Sequence, residues 1–144
     1  MSTKTEPAEK KAWLRSYREA KWLDELKALA ASYAAERDGR WLTEVNWRDV
    51  PVTMKELPED VCGKYSFGKI SLRECLEPSF IFPTYIHELR HHWQWKKHPI
   101  FYLVGKIIRP LIEDDAVCQE TAAENWLEAN DKRRRDTPMP AEIS

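Results

Sequence analysis

Little in this chain could staple it or anchor it. Its 144 residues hold three cysteines, Cys62, Cys75 and Cys118, with no CxxC spacing among them. An odd, unpatterned set of thiols argues against a disulfide framework or a cysteine zinc finger and fits a reducing compartment. A long hydrophobic run is also missing. The most apolar stretch, Ile100 to Ile112, is broken by Lys106, Arg109 and Pro110 and falls short of the ~20 residues that span a bilayer. It reads as a packed helix. The first sixteen residues, MSTKTEPAEKKAWLRS, contain no apolar core of a secretory signal, so a cytoplasmic protein is expected. Charge of one sign is not in excess either: 23 Lys and Arg face 24 Asp and Glu, for a net charge of -1. No overall attraction to nucleic acid or anionic lipid follows, and polyanion binding would need a local patch. Internal repeats are lacking, and the basic run Lys132 to Arg135 is the one compositional bias.

What is present points to a soluble, helix-rich unit. Hydrophobic residues make up 42% of the chain and charged residues 33%, with seven tryptophans; that is too apolar for disorder and too charged for a membrane-embedded protein. The length suits one domain. A tail to residue 7, a single domain over 8–135 and a second flexible tail over 136–144 are expected.

Pro7 suits the start of a helix. Leu14, Tyr17, Leu23, Leu26, Ala30 and Tyr33 carry that helix at helical spacing to about Arg37. Asp38 and Gly39 then close it, glycine supplying the left-handed cap. Trp41, Leu42, Val45 and Trp47, followed by Val50, Pro51 and Val52, suggest one or two short strands, and the prolines suggest a sheet edge. Val61 to Leu72 reads as a hairpin turning at Ser66, Phe67 and Gly68. Pro78 and Pro83 punctuate a loop, after which Thr84 caps a helix from about Tyr85 to Lys97. A further helix covers Ile100 to Arg109, and Pro110 opens the last, to about Arg135, where the basic run favours a helix C-terminus. The order helix, small sheet, helices gives an α+β fold that is mainly helical.

The chemistry concentrates in His87, Glu88, Leu89, Arg90 and His91, an HExxH motif on the predicted helix. One helical turn separates the histidines, so they lie about 40° apart around the axis and about 6 Å apart along it, close enough to share an ion. Glu88 falls beside them, where it can reach a water bound to that ion. Phe82, Ile86, Leu89 and Trp93 cluster roughly opposite, giving the helix an apolar face for a core. His92 points away from the pair, and His98, farther along and before Pro99, belongs nearer the rim of a cleft.

A catalytic zinc site takes three protein ligands and leaves one position open. The last helix offers two carboxylates, Glu113 and Glu120, each followed three residues on by an alanine that would let helices approach closely. Glu113, near the helix start, is preferred and Glu120 is the alternative; Glu124 is a candidate to hold a ligand histidine from behind. Asp114 and Asp115 read as favourable charges in the first turn of the helix.

HELRH with a glutamate on a later helix resembles the gluzincin branch of the zincin metallopeptidases, and most of all the small intracellular HExxH proteins of bacteria and phages. The likeness runs from the hairpin to about Asn130. Gln94 and Lys97 stand where metzincins carry a glycine and a third histidine, which disfavours that branch. The resemblance implies a small antiparallel sheet or hairpin packed on the HExxH helix, Zn2+ held by His87, His91 and Glu113 or Glu120, and Glu88 as general base for hydrolysis of a protein or peptide substrate. It also implies that Lys69 to Leu72 is the strand bordering the cleft, able to pair with a peptide. Tyr65, Tyr102 and His98 are the candidates to stabilise the oxyanion. Three rivals remain at this point: a zinc-binding regulatory or assembly protein without turnover, a metal-free helical interaction module, and peripheral membrane attachment through Ile100 to Ile108.

Overall fold

Leu23, Leu26, Ala30 and Tyr33 return every three or four residues, and they form the inner stripe of helix α1, Ala8–Ala34. The computed structural model describes the backbone over residues 8–74 and 77–136, and side chains over 17–74 and 77–132. The expected tails, Leu14 and Cys75 lie largely or wholly outside these ranges. Tyr17 is 58% exposed, so the buried stripe starts below it.

Two local expectations are corrected past α1. The helix stops at Ala34, and Arg37–Glu44 and Trp47–Asp49 form 3-10 turns where strands were expected. Leu42, Val45 and Trp47 are buried there, so packing against the core has overridden the strand preference of aromatic and β-branched residues. Gly39 is not a left-handed cap. A Cβ on it would lie 2.2 Å from the Tyr33 carbonyl oxygen, so glycine lets the 3-10 turn fold beneath the end of α1.

Three strands follow: β1 Val52–Lys55, β2 Gly63–Ser66 and β3 Lys69–Arg73. The hairpin is as expected, with Ser66 opposite Lys69 and a two-residue turn in which Phe67 (φ 36°) and Gly68 (φ 95°) both have positive φ. The sheet order is β1-β3-β2, with β1 parallel to β3 and β2 antiparallel to it. This places Lys69 to Leu72 in the middle strand, where both edges are already paired, and it corrects the assignment of that run to the cleft border. Arg73 holds the β1–β2 crossover through the carbonyls of Pro58, Glu59 and Val61, and Glu19 of α1 accepts a hydrogen bond from Met54 N on β1 at 3.1 Å.

Helix α2 spans Pro78–Lys97, α3 Pro99–Ile107 and α4 Pro110–Asp136. Pro78 occupies the first turn of α2, and the helix continues through Pro83, so the expected loop and the Thr84 cap are both corrected. Pro83 removes the bond to the carbonyl of Ser79, an exposed residue in the first turn that water can reach. Each later helix begins on a proline, where a missing N–H costs nothing. Phe82, Ile86 and Leu89 are fully buried, and Tyr33, Phe82 and Trp126 stack where α1, α2 and α4 meet. Ala116 and Ala123 on α4 are fully buried and let α4 lie along α2. The result is a mainly helical α+β fold with a three-stranded mixed sheet. Among the described residues no helix is long and apolar enough to cross a membrane.

Candidate metal centre

The α2–α4 contact brings His87, His91 and Glu113 together, each offering a ligand atom within 4.8 Å of the others. His87 Nε2 lies 3.2 Å from one Glu113 oxygen and His91 Nε2 lies 3.1 Å from the other. Nitrogen and oxygen donors at about 2.0–2.1 Å around tetrahedral zinc stand roughly 3.3 Å apart. The two histidine–carboxylate spacings are close to that value.

The remaining imidazole nitrogens are already committed. His87 Nδ1 is 2.7 Å from Glu120 Oε1, and His91 Nδ1 is 2.9 Å from Gln94 Oε1. Gln94 is fully buried, and its amide nitrogen donates to the Ile112 carbonyl at 3.0 Å and to Asp115 at 2.8 Å. Its oxygen therefore faces His91 as an acceptor, Nδ1 of His91 donates, and Nε2 presents its lone pair to the Glu113 carboxylate. Two acceptors at this distance need a cation between them, either a proton or a metal ion. Glu120 orients His87 in the same way, so it sits behind the histidine and Glu113 supplies the converging oxygen. Glu124 is exposed.

Electrostatics matches this geometry. Burial alone would pull His87 below its ordinary 6.5, but hydrogen bonds to Glu113 and Glu120, with the charges of Glu88 and Glu113, push it up to about 10. The hydrogen bond from His87 holds the Glu113 carboxyl far below the usual carboxylate range. Without metal, protonated His87 donates to both Glu113 and Glu120.

Glu88 is 6% exposed and lines a cleft of about 250 Å³ together with Gly63, Tyr65, His87, His91, Tyr102 and Glu113. Burial raises its pKa to about 6, against the pull of the two imidazoles. Gly63 on β2 makes this placement possible. A Cβ there would meet Thr84 Cγ2 at 2.6 Å and Glu88 Oε2 at 3.2 Å, so only glycine lets the strand pass this close to the carboxylate.

The strand beside the cleft is β2. Arg73 N donates to Cys62 O, so the alternation of antiparallel pairs makes Lys64–Ser71 and Ser66–Lys69 the bonded ones. The N–H and C=O groups of Gly63 and Tyr65 then point to the free edge. Tyr65 and Tyr102 both face the cleft. The Tyr65 hydroxyl accepts from Gly68 N at 2.8 Å and meets His92 Nδ1 at 2.9 Å. Burial, with Lys96 nearby, lowers the pKa of His92, so the neutral ring accepts the tyrosine proton. His92 is thus a hydrogen-bond partner outside the metal group. His98 is corrected as a rim residue: it is exposed, stacks on Trp93 with centroids 4.9 Å apart, and is absent from the cleft lining.

Asp115 is the largest correction at the site. It accepts from Arg90 Nε at 2.7 Å and a second guanidinium nitrogen at 3.2 Å, besides the bond from Gln94. Arg90 lies 3.7 Å above the Trp93 ring and 5.0 Å from that of Trp41. Far from being merely a favourable charge at the helix start, Asp115 anchors the chain Arg90–Asp115–Gln94–His91. The i, i+3 spacing of His91 and Gln94 was its visible signal; the partner on α4 had none.

The chain matches no family model, no curated protein and no solved structure.

Proposed function

We propose that this protein is a zinc-dependent peptidase of zincin type, acting in the cytoplasm on a protein or peptide substrate. The observation that carries the reading is the convergence of two Nε2 atoms and both oxygens of Glu113, with the other imidazole nitrogens oriented from behind by Glu120 and Gln94. Histidine–carboxylate pairing of this kind fixes the tautomer and direction of a ligand ring. A bound zinc ion would supply Lewis-acid activation of a water molecule and of the scissile carbonyl.

The protein's own groups have distinct tasks. Glu88, buried with its pKa near 6, takes the proton of the attacking water and returns it to the leaving amine nitrogen. The free edge of β2 aligns an extended peptide through the main-chain groups of Gly63 and Tyr65. The Tyr65 proton is held by His92, whereas no side-chain hydrogen bond engages the Tyr102 hydroxyl among the described residues, which makes Tyr102 the better oxyanion donor. Lys64, Lys106 and Arg109 at the mouth favour peptides carrying a carboxylate near the cleaved bond.

Elemental analysis of the purified protein and cleavage of a peptide library test the reading together. One zinc per chain and metal-dependent cleavage are expected. Glu88→Gln should retain zinc and lose about 10²–10⁴-fold in rate, and His91→Ala should lose both metal and activity. Undiminished cleavage by Glu88→Gln would remove the proposed base.

A further inference from the structure

Helix α3 hides only a narrow strip of its surface. Tyr102 and Gly105 face inward, while Ile100, Phe101, Leu103, Val104, Ile107 and Ile108 are 40% to 86% exposed. At about 100° per residue the five within α3 fall within one arc of roughly 160°, so they form a continuous apolar face, and Ile108 follows at the helix end. Phe67 at the hairpin tip adds a second exposed apolar group beside α3: its ring packs edge-on against Trp95 and Tyr102, yet the residue is 55% exposed. Its φ of 36° is unfavourable for a non-glycine residue. Monomers rarely leave so many neighbouring aliphatic side chains in water.

The charges carried by the hairpin tip and by α3 with its flanks are all basic, and acidic residues resume at Glu113 and Asp114 on α4. No Asp or Glu occurs between Leu89 and Ile112. Lys64 and Lys69 flank the hairpin tip, Lys96 and Lys97 precede α3, and Lys106 and Arg109 close it, all of them exposed. None of the six is ion-paired with a described residue. In a chain of net charge -1, this is the local cationic patch that the overall composition lacks.

We propose that α3 and the hairpin tip dock this protein on an anionic lipid bilayer, with the aliphatic face in the headgroup boundary and the lysines against lipid phosphates. An aliphatic face rimmed by cations is the pattern of an interfacial helix. A second copy of the chain fits less well, because pairing this face with itself would set the same cations against each other. Nucleic acid fits less well too: apart from Phe67 and Phe101 the face is aliphatic, and isoleucine, leucine and valine offer no stacking surface for bases. Tyr102, Lys106 and Arg109 also line the metal cleft, so docking brings the cleft mouth to the membrane surface. The proposal stands independently of the peptidase reading.

Co-sedimentation of the full chain with vesicles tests it. Wild type should bind vesicles of mixed phosphatidylcholine and phosphatidylglycerol, bind phosphatidylcholine alone far more weakly, and be released by salt. Ile100→Asp with Ile107→Asp, at positions 77% and 86% exposed, should abolish binding while melting temperature and helicity stay unchanged. Lys96→Glu with Lys97→Glu should lower partitioning onto anionic vesicles by at least about tenfold. Failure of the wild type to bind, or equal binding by the aspartate variant, would overturn the proposal. So would a concentration-dependent dimer that Ile107→Asp dissociates, or salt-sensitive binding to DNA without binding to vesicles.

Discussion

Gln94 turns its carbonyl oxygen, not its amide nitrogen, toward Nδ1 of His91, 2.9 Å away. The orientation is imposed from α4, because the Ile112 carbonyl and the Asp115 carboxylate both demand the nitrogen. The lone pair of His91 is thereby aimed at Glu113 by residues that do not touch the ion site.

Disturbing that chain should loosen metal without unfolding the protein. Gln94→Leu and Asp115→Asn are each expected to weaken zinc binding by about 10–100-fold, measured by competition with a chelating dye. Arg90→Ala should show the same loss together with a lower melting temperature, since it also removes the cation from the Trp93 and Trp41 rings.

The metal-free protein should be most stable in mildly acidic solution. Folded His87 titrates near 10 against an ordinary 6.5, so its contribution is complete below pH 6.5 and is lost as pH rises toward 10. Glu88, raised from 4.5 to about 6, costs stability as pH climbs through that interval. Glu113, depressed, contributes above its ordinary 4.5 and loses that contribution as pH falls below it. Zinc requires the deprotonated imidazole, so the stabilisation it adds should grow with pH, by up to about tenfold in affinity per unit for one displaced proton. Melting curves with zinc and with a chelator across pH 6.5 to 10 should diverge; parallel curves would contradict the proton on His87.

Gly63→Ala should impair catalysis more than metal binding. The added methyl meets Thr84 and the Glu88 side chain, and forcing such a contact costs about 1–3 kcal/mol. Zinc content near that of wild type with reduced turnover is the expected result, because the atoms nearest the new group belong to Thr84 and Glu88 and not to the three ligands.

Tyr85→Phe should stabilise the fold. The Tyr85 hydroxyl is buried with no hydrogen-bond partner among the described residues, and an unsatisfied buried polar group costs about 1–3 kcal/mol. A rise in melting temperature would establish the effect; a fall would mean that the hydroxyl has a partner.

Local patterns in the sequence carried much of this structure. The two faces of HELRH, the Phe67–Gly68 turn and the proline that opens α4 all depend on spacing within a few residues, and each is found where spacing puts it. Ala116 and Ala123, three residues after their glutamates, likewise sit fully buried beside α2. Pairings over longer distances were not legible. The exchange of β2 and β3 at the cleft depends on β1 adding in parallel to β3, which no short pattern encodes. Trp41 to Trp47 carries strand-forming side chains but is bent into 3-10 turns by what it packs on. Asp115 differs from its neighbour Asp114 only through Arg90 and Gln94, which lie more than twenty residues earlier.

The three converging donors come from either side of α3. A nascent chain that has emerged only as far as Lys97 displays the two imidazoles without the Glu113 carboxylate, so the proposed ligand set is incomplete at that stage. A metal bound as proposed would be held only once α4 has been made and has packed back against α2.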